Sequence, residues 1–269
     1  IVATKWKPIR VLCKPHLLYP KIPFMKRNSI AKMFAIVSIF SIYSCSSDSD
    51  KYLEADAIAA LDATTETIGD MTSCSLRIIN ESTEIVDGSP DSHVRQSDVY
   101  LRGANSLHVY VNADDIRKGL WYNGEELSVF RFDENTYDVT KAPGNTIAMI
   151  DSIHSIYGVD FPAADIFYPT LTDAVIANFD SVFYLGKQEV NGILCKGVNA
   201  TNATLNVWLF VDDATNLPVQ LAIYGQGTRN GEVYISNYQD WQINPALGDD
   251  IFKFSPPANA MKATIFKKD

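Results

Sequence analysis

Residues Ser181–Ala200, SVFYLGKQEVNGILCKGVNA, decide the fold class. Two apolar-rich runs, Ser181–Val190 and Ile193–Ala200, are separated only by Asn191-Gly192. Asn-Gly readily supplies the two positive-φ positions of a tight hairpin turn, so the spacing predicts a pair of antiparallel strands. Toward the C-terminus, Leu205–Val211, Pro218–Gln226 and Glu232–Trp241 continue as strands, and Phe252-Lys253-Phe254-Ser255-Pro256-Pro257 reads as a last edge element stopped by proline. Toward the N-terminus the period changes. Asn145–Tyr157 carries Ile147, Met149, Ile150, Ile153 and Ile156 at helical spacing, and Ala163–Phe167 and Pro169–Ala177 read as two shorter helical pieces.

Strands return on the far side of this insert. Ser75–Val86 ends at the turn Asp87-Gly88-Ser89-Pro90; Val94–Arg102 and Leu107–Asn112 follow. Gly119–Tyr122 enters a second Asn-Gly turn at Asn123-Gly124, Leu127–Phe132 pairs back, and Thr136–Val139 adds a short strand. Ahead of them, Tyr52–Gly69 spaces Ala55, Ile58, Ala59, Leu61 and Ile68 as an amphipathic helix. The plan is helix, strands, helical insert, strands. It predicts an α+β fold with helices packed on one antiparallel sheet.

Met25–Cys45, MKRNSIAKMFAIVSIFSIYSC, begins with Lys26, Arg27 and Lys32, continues through an apolar run and ends at a cysteine followed by Ser46-Ser47-Asp48-Ser49-Asp50. A basic region, a short apolar region and a small residue before the cut make a secretory signal. Cys45 at the cut resembles the lipobox cysteine of bacterial lipoproteins, which becomes a lipidated N-terminus, although Tyr43 is unusual for that motif. Plain secretion or an uncleaved anchor are the alternatives, the run being short of the roughly 20 residues of a membrane span. Residues 1–24 precede this start and read as upstream extension, 25–44 as signal peptide, 45–52 as a polar tether, and 53–269 as one domain.

Charge follows this division. Residues 1–44 hold eight of the 23 Lys/Arg and none of the 32 Asp/Glu, so the whole-chain net of −9 becomes −17 from Cys45 onward. Such acidity excludes nucleic acid, which demands a basic footprint. It also means that membrane association would come from a lipid and not from a polybasic patch.

Chemistry is sparsely advertised. His93, His108 and His154 stand apart from one another and from any Cys at metal-ligand spacing, and His108 alternates with Leu107 and Val109, facing outward. No nucleophile elbow or phosphate loop is present. Asp114-Asp115, Asp212-Asp213 and Asp249-Asp250 sit at strand ends, where turn formation accounts for them. The reading is of a non-enzyme without cofactor or metal. Beyond Cys13 and Cys45, Cys74 and Cys195 remain; they form one disulfide in an oxidising compartment, or each is a small buried apolar residue on its own strand.

In Leu205–Val211, Val207 and Leu209 face one side while Trp208 and Phe210 face the other. A strand apolar on both faces is covered on both. Either the core is filled by its own side chains, or one face lines an apolar cavity lidded by the helical insert. In the second case the candidate lining residues are Trp121, Phe130, Phe132, Phe161, Phe167, Trp208 and Phe210.

Five segments occur in order: Gly119–Phe130 (GLWYNGEELSVF), Tyr157–Tyr168 (YGVDFPAADIFY), Tyr184–Cys195 (YLGKQEVNGILC), Trp208–Asp213 (WLFVDD) and Phe252–Pro257 (FKFSPP). Together they resemble the predicted periplasmic protein family, domain of unknown function 2092, over roughly Leu53–Phe266. That family is similar to the superfamily of lipoprotein carriers and receptors typified by LolA and LolB. The resemblance implies a curved, unclosed half-barrel with helices on its concave face, a cavity that takes acyl chains, and no catalytic residues. With Cys45 it implies a periplasmic lipoprotein at the outer membrane, holding a hydrophobic ligand or a lipoprotein acyl chain in a stationary, receptor-like role. The alternative is a structural or interaction module of the envelope.

Overall fold

The computed structural model describes residues 51–113, 116–157, 161 and 163–266; the signal-like segment, Cys45 and most of the tether lie outside the described residues. In chain order the elements are β1 (Tyr52–Leu53), α1 (Ala55–Gly69), β2 (Ser73–Val86), β3 (Ser89–Arg102), β4 (Ser106–Ala113), β5 (Ile116–Tyr122), β6 (Glu126–Arg131) and β7 (Thr136–Lys141). The insert follows as α2 (Thr146–Tyr157), a 3-10 turn (Ala164–Phe167) and α3 (Leu171–Asn178). The second strand set is β8 (Ser181–Val190), β9 (Ile193–Thr201), β10 (Leu205–Asp212), β11 (Pro218–Gly225) and β12 (Val233–Ile243), with β13 (Met261–Lys262) last.

All thirteen strands form one open sheet in the order β1-β8-β9-β10-β11-β12-β2-β3-β4-β5-β6-β7-β13. The two meanders are joined where β12 pairs antiparallel with β2, from Val233↔Thr83 to Ile243↔Cys74 across a bulge. The sheet does not close on itself, and α1, α2 and α3 lie on one face: an α+β half-barrel. It is not purely antiparallel. At each edge a two-residue strand adds in parallel, β1 on β8 and β13 on β7.

Turn chemistry sets the registers. Asn191 and Gly192 both adopt positive φ (52° and 78°), and Val190 pairs directly with Ile193, as the Asn-Gly spacing predicts. Asp87 and Gly88 make the same kind of two-residue turn, so β3 starts at Ser89, five residues ahead of the sequence expectation. Pro90 is tolerated there because β3 meets β4 only from Arg95 onward. Asn123-Gly124 behaves differently: the Asn123 Oδ1 accepts from the amides of Glu125 and Glu126, giving a three-residue loop between Tyr122 and Glu126.

Lys51 and Tyr52, read as the end of the tether, belong to the folded domain. The Lys51 ammonium donates to the carbonyls of Ile176 and Ala177 (2.6 and 2.8 Å) near the C-terminus of α3, where a cation complements the unpaired carbonyls. The Tyr52 ring lies 5.0 Å from Phe183.

The segment after β12 is not the edge element expected at Phe252–Pro257. It runs over the convex face, held by Ser73 Oγ to the Pro245 carbonyl (2.8 Å) and by Arg102 to the Leu247 carbonyl and Asp249 (2.8 and 2.7 Å). It then rounds the β7 edge as β13, and Phe266 enters the concave core beside Tyr157, 5.4 Å between ring centroids. The chain enters this stretch from a 3-10 turn (Asp249–Phe252), with the Lys253 amide donating to the Asp250 carbonyl, and Pro256 and Pro257 have no amide to give to a ladder, so residues 252–257 do not pair as a strand.

Candidate functional site

The concave face is filled unevenly. Over β8–β11, α1 and α3 bring Ala57, Ala60, Leu61, Leu171 and Val175 onto Val198, Ala200, Val207, Leu209 and Leu221, leaving only about 20 Å³ free. Over β2–β5 the cover is α2 and the Ala164–Phe167 turn, and here a cavity of about 80 Å³ remains. For scale, an engineered apolar cavity of about 150 Å³ takes benzene.

Strand register builds its floor in rungs. Leu101, Leu107 and Tyr122 are cross-strand neighbours, then Val99, Val109 and Leu120, then Ser97, Val111 and Lys118, with Arg95 one step beyond opposite Ala113. Ile78 of β2 adds to this floor; Ile147, Ile150, Phe161, Ala163, Ala164 and Phe167 form the roof. One end is closed by α2, whose start is fixed twice: the Thr146 amide donates to the Ala104 carbonyl (2.7 Å), and the Asn145 Oδ1 caps the Ala148 amide (2.8 Å). The Tyr122 hydroxyl donates to the Pro143 carbonyl beneath that end. The Tyr168 hydroxyl, donating to Asp151 (2.9 Å), ties the 3-10 turn to α2. Ala163 opens that turn at φ 62°, a left-handed conformation that costs a non-glycine residue energy and that tertiary packing must hold.

A polar seam separates the open half from the filled half. The Asn80 amide donates to the Tyr234 hydroxyl (2.9 Å) and to Ser236 Oγ (2.7 Å), all three buried on the concave faces of β2 and β12. Tyr238 is buried beside them, with Ser236 as a polar neighbour on the seam. Burial pushes both phenols above their ordinary pKa, so they stay neutral donors.

Of the seven aromatic residues expected at a cavity, the structure brings Phe161 and Phe167 to it. The other five lie on the opposite face. Trp121 alternates with Leu120, so when Leu120 points into the cavity Trp121 points away; it stacks on His108 (4.8 Å) and packs on Phe254 of the tail (5.0 Å). Phe130, opposite Gly119, shares that cover, and Phe132 packs edge-on against it at 4.9 Å. Gly119 makes the arrangement possible, since a Cβ there would stand 2.1 Å from the Trp121 ring. Phe210 joins Cys195 and Val219 in a small separate buried cluster, while Trp208 is 36% exposed, so the outer face of β10 is covered at Phe210 and open at Trp208. The cavity is built from aliphatic side chains instead. The alternation of Leu107, Val109 and Val111 with His108, Tyr110 and Asn112 was visible in the sequence and marked the inner face of β4.

Cys74 and Cys195 are free thiols. Four strand steps separate β2 from β9, about 19 Å along the sheet at 4.8 Å each, and Cys74 belongs to the main core while Cys195 belongs to the outer cluster. A disulfide requires Cα atoms within about 7 Å. Burial pushes the Cys74 thiol up to about 12 and also raises Cys195, leaving both unreactive. His108 faces outward, between Tyr100 and Trp121. The strand-end acids shape turns: Asp212 accepts from Ala214 and Thr215, and Asp213 and Asp249 pair with Lys187 and Arg102, both at 2.7 Å. Asp114 and Asp115 lie outside the described residues.

No curated protein matches the chain in sequence. Among solved structures it is similar to an uncharacterized conserved protein from Thermus thermophilus, with 8% identity over 77% of this chain and 98% of that one, TM-score 0.46. It is also similar to the lipoprotein LppX of Mycobacterium tuberculosis (12% identity, 72% and 98% covered, TM-score 0.43). A third likeness is to the LolA superfamily protein NE2245 from Nitrosomonas europaea (13% identity, 74% and 97% covered, TM-score 0.36). The sequence profile of one family matches residues 57–266, nearly everything from α1 to the end of the tail, and the chain therefore belongs to that family, the predicted periplasmic protein family, domain of unknown function 2092.

Proposed function

We propose that this is a periplasmic binding protein that holds an apolar chain, such as the acyl chain of a lipid or lipoprotein, in the cavity over β2–β5. The observation that carries this reading is the roughly 80 Å³ left open among aliphatic side chains on one half of the concave face, when the other half of the same sheet is packed shut. A well-packed interior leaves few voids larger than a water molecule, so an apolar space of this size marks a place for something apolar. Its present volume suits a short length of chain. Binding a longer one calls for outward displacement of the roof formed by Phe161 and Ala163–Phe167, which the Tyr168–Asp151 hydrogen bond ties to α2. The binding energy would come from apolar burial, about 25 cal/mol per Å² before the costs of ordering are met.

In this reading Cys45 is lipidated, Ser46–Asp50 is the tether, and the domain stands at the periplasmic side of the outer membrane as a stationary binder. In this reading it performs no catalysis: the ionisable side chains that line the cavity, Arg95 and Lys118, are both cations, and no carboxylate, histidine or cysteine lines it beside them among the described residues. Mass spectrometry of protein released from the native envelope tests both parts. A stoichiometric acyl-bearing molecule and a lipid-modified Cys45 peptide are expected; protein free of any co-purified apolar molecule would defeat the ligand reading. The filled half of the concave face favours one other reading, an envelope interaction module whose cavity is only a packing defect. It predicts that replacing Val109 by Phe stabilises the protein.

A further inference from the structure

We infer that the chain held in this cavity ends in an anionic group, a carboxylate or phosphate, placed at the end where Arg95 and Lys118 project. The inference rests on the proposed binding of an apolar chain and specifies its chemistry. Arg95 and Lys118 are the two charged residues lining the cavity, and no Asp or Glu lines it among the described residues. That bias runs against a chain whose acidic residues outnumber the basic ones, 32 to 23.

Their position is as informative as their sign. Register places Lys118 beside Val111 and Ser97, and Arg95 one step further, so both cations fall at one end of the cavity floor. The next two rungs are aliphatic apart from Tyr122 and run to the end closed by α2. From Arg95 to Leu101 the floor extends about 20 Å along β3, six residues at about 3.4 Å each. A cavity that is cationic at one end and aliphatic along the rest matches a single-chain anionic amphiphile. The two side chains are half-buried and make contacts within the protein as well. Partial burial limits the rotamers open to them before a ligand arrives, which reduces the entropy lost on binding. In so acidic a protein, local cations are also what lets an anion approach.

The test compares palmitate and palmitoyl lysophosphatidic acid with methyl palmitate, by displacement of a fluorescent apolar probe from the purified protein. Both anions are expected to bind at least tenfold more tightly than the ester at low ionic strength, with the gap narrowing in high salt. Preference between the two anions identifies carboxylate or phosphate as the natural end group. In the Arg95→Gln, Lys118→Gln double variant the anions should fall to the level of the ester while the ester keeps its affinity. Equal binding of acid and ester by the unsubstituted protein would overturn the inference and leave chain binding standing. Binding of none of the three would overturn both. The acid–ester comparison needs no substitution, so a double variant that fails to fold does not rescue the idea.

Discussion

The two halves of this sheet are built alike and finished differently. Each is an antiparallel meander with an aliphatic concave face, and each uses a glycine to let an aromatic ring lie against the convex face: Gly119 beneath Trp121, Gly197 beside Phe210. In the β8–β12 half, two helices seal the concave face while Trp208 and Tyr224 on the convex face stay 36% and 38% exposed. In the β2–β7 half the arrangement is reversed. The tail covers the convex aromatics, and a cavity is left on the concave side. In the proposed reading, one half gives stability and the other receives the ligand.

If this division is right, the two halves should answer differently when an inward aliphatic side chain is cut back to alanine. Leu61→Ala in the sealed half removes a residue only 2% exposed and should cost about 3–4 kcal/mol, in the range for large-to-small core changes. Val109→Ala, on the cavity floor, should cost about 1 kcal/mol, because fewer partner atoms are lost beside an existing void. Denaturant unfolding measures both; equal losses would mean that the cavity half is packed as tightly as the other.

The glycine pair gives a sharper contrast. Gly119→Ala drives a methyl into a stacked indole and should cost about 2 kcal/mol by overpacking. Gly197→Ala meets the Gln188 amide at 2.8 Å and the Leu185 Cβ and Phe210 ring at 3.0 and 3.1 Å, contacts that give more easily, and should cost about half as much. Thermal melts that rank them the other way would show that the tail does not hold Trp121 firmly. Removing the tail's own ring, Phe254→Ala, loses packing against Trp121, Phe130 and Tyr137 and should cost about 1–2 kcal/mol. Chain binding should be unchanged, since these rings lie across the sheet from the cavity.

The smallest effect is on pH dependence. Burial lowers the pKa of His108 from its ordinary 6.5, opposed by a hydrogen bond with the Ile251 backbone, so the folded state favours the neutral ring. The unfolded chain then binds the proton more readily, and stability rises with pH. This contribution is complete above about 6.5 and is lost as pH falls below it. His108→Gln should flatten the acid limb of a plot of Tm against pH; a limb of undiminished slope would assign the effect to other groups.

Much of the fold was legible because turns and periods are local. Asn191-Gly192 gave a register correct to the residue, and the isoleucines of 147–156 gave α2. The join of β12 to β2 was not legible, since no local signal couples residues some 150 positions apart. The site was misread for a related reason. A strand apolar on both faces carries a period of two without a sign, and large aromatics drew attention to the side that the tail covers. Gly119, two residues before Trp121, was the available clue: it marks the face on which a ring lies flat against the backbone.

The short parallel strands at the two edges have a consequence for life at high concentration. A half-barrel, unlike a closed one, offers a row of unpaired amides and carbonyls at each end, a template for another chain. Here the first two residues of each edge strand are paired by a segment flanking the main body, and a carboxylate extends each seal: Glu54 accepts from the Tyr184 amide (2.6 Å), and Asp138 from those of Ile265 and Phe266 (2.7 and 3.0 Å). Two acidic side chains and four residues of strand thus shield part of each edge against the addition of a further strand.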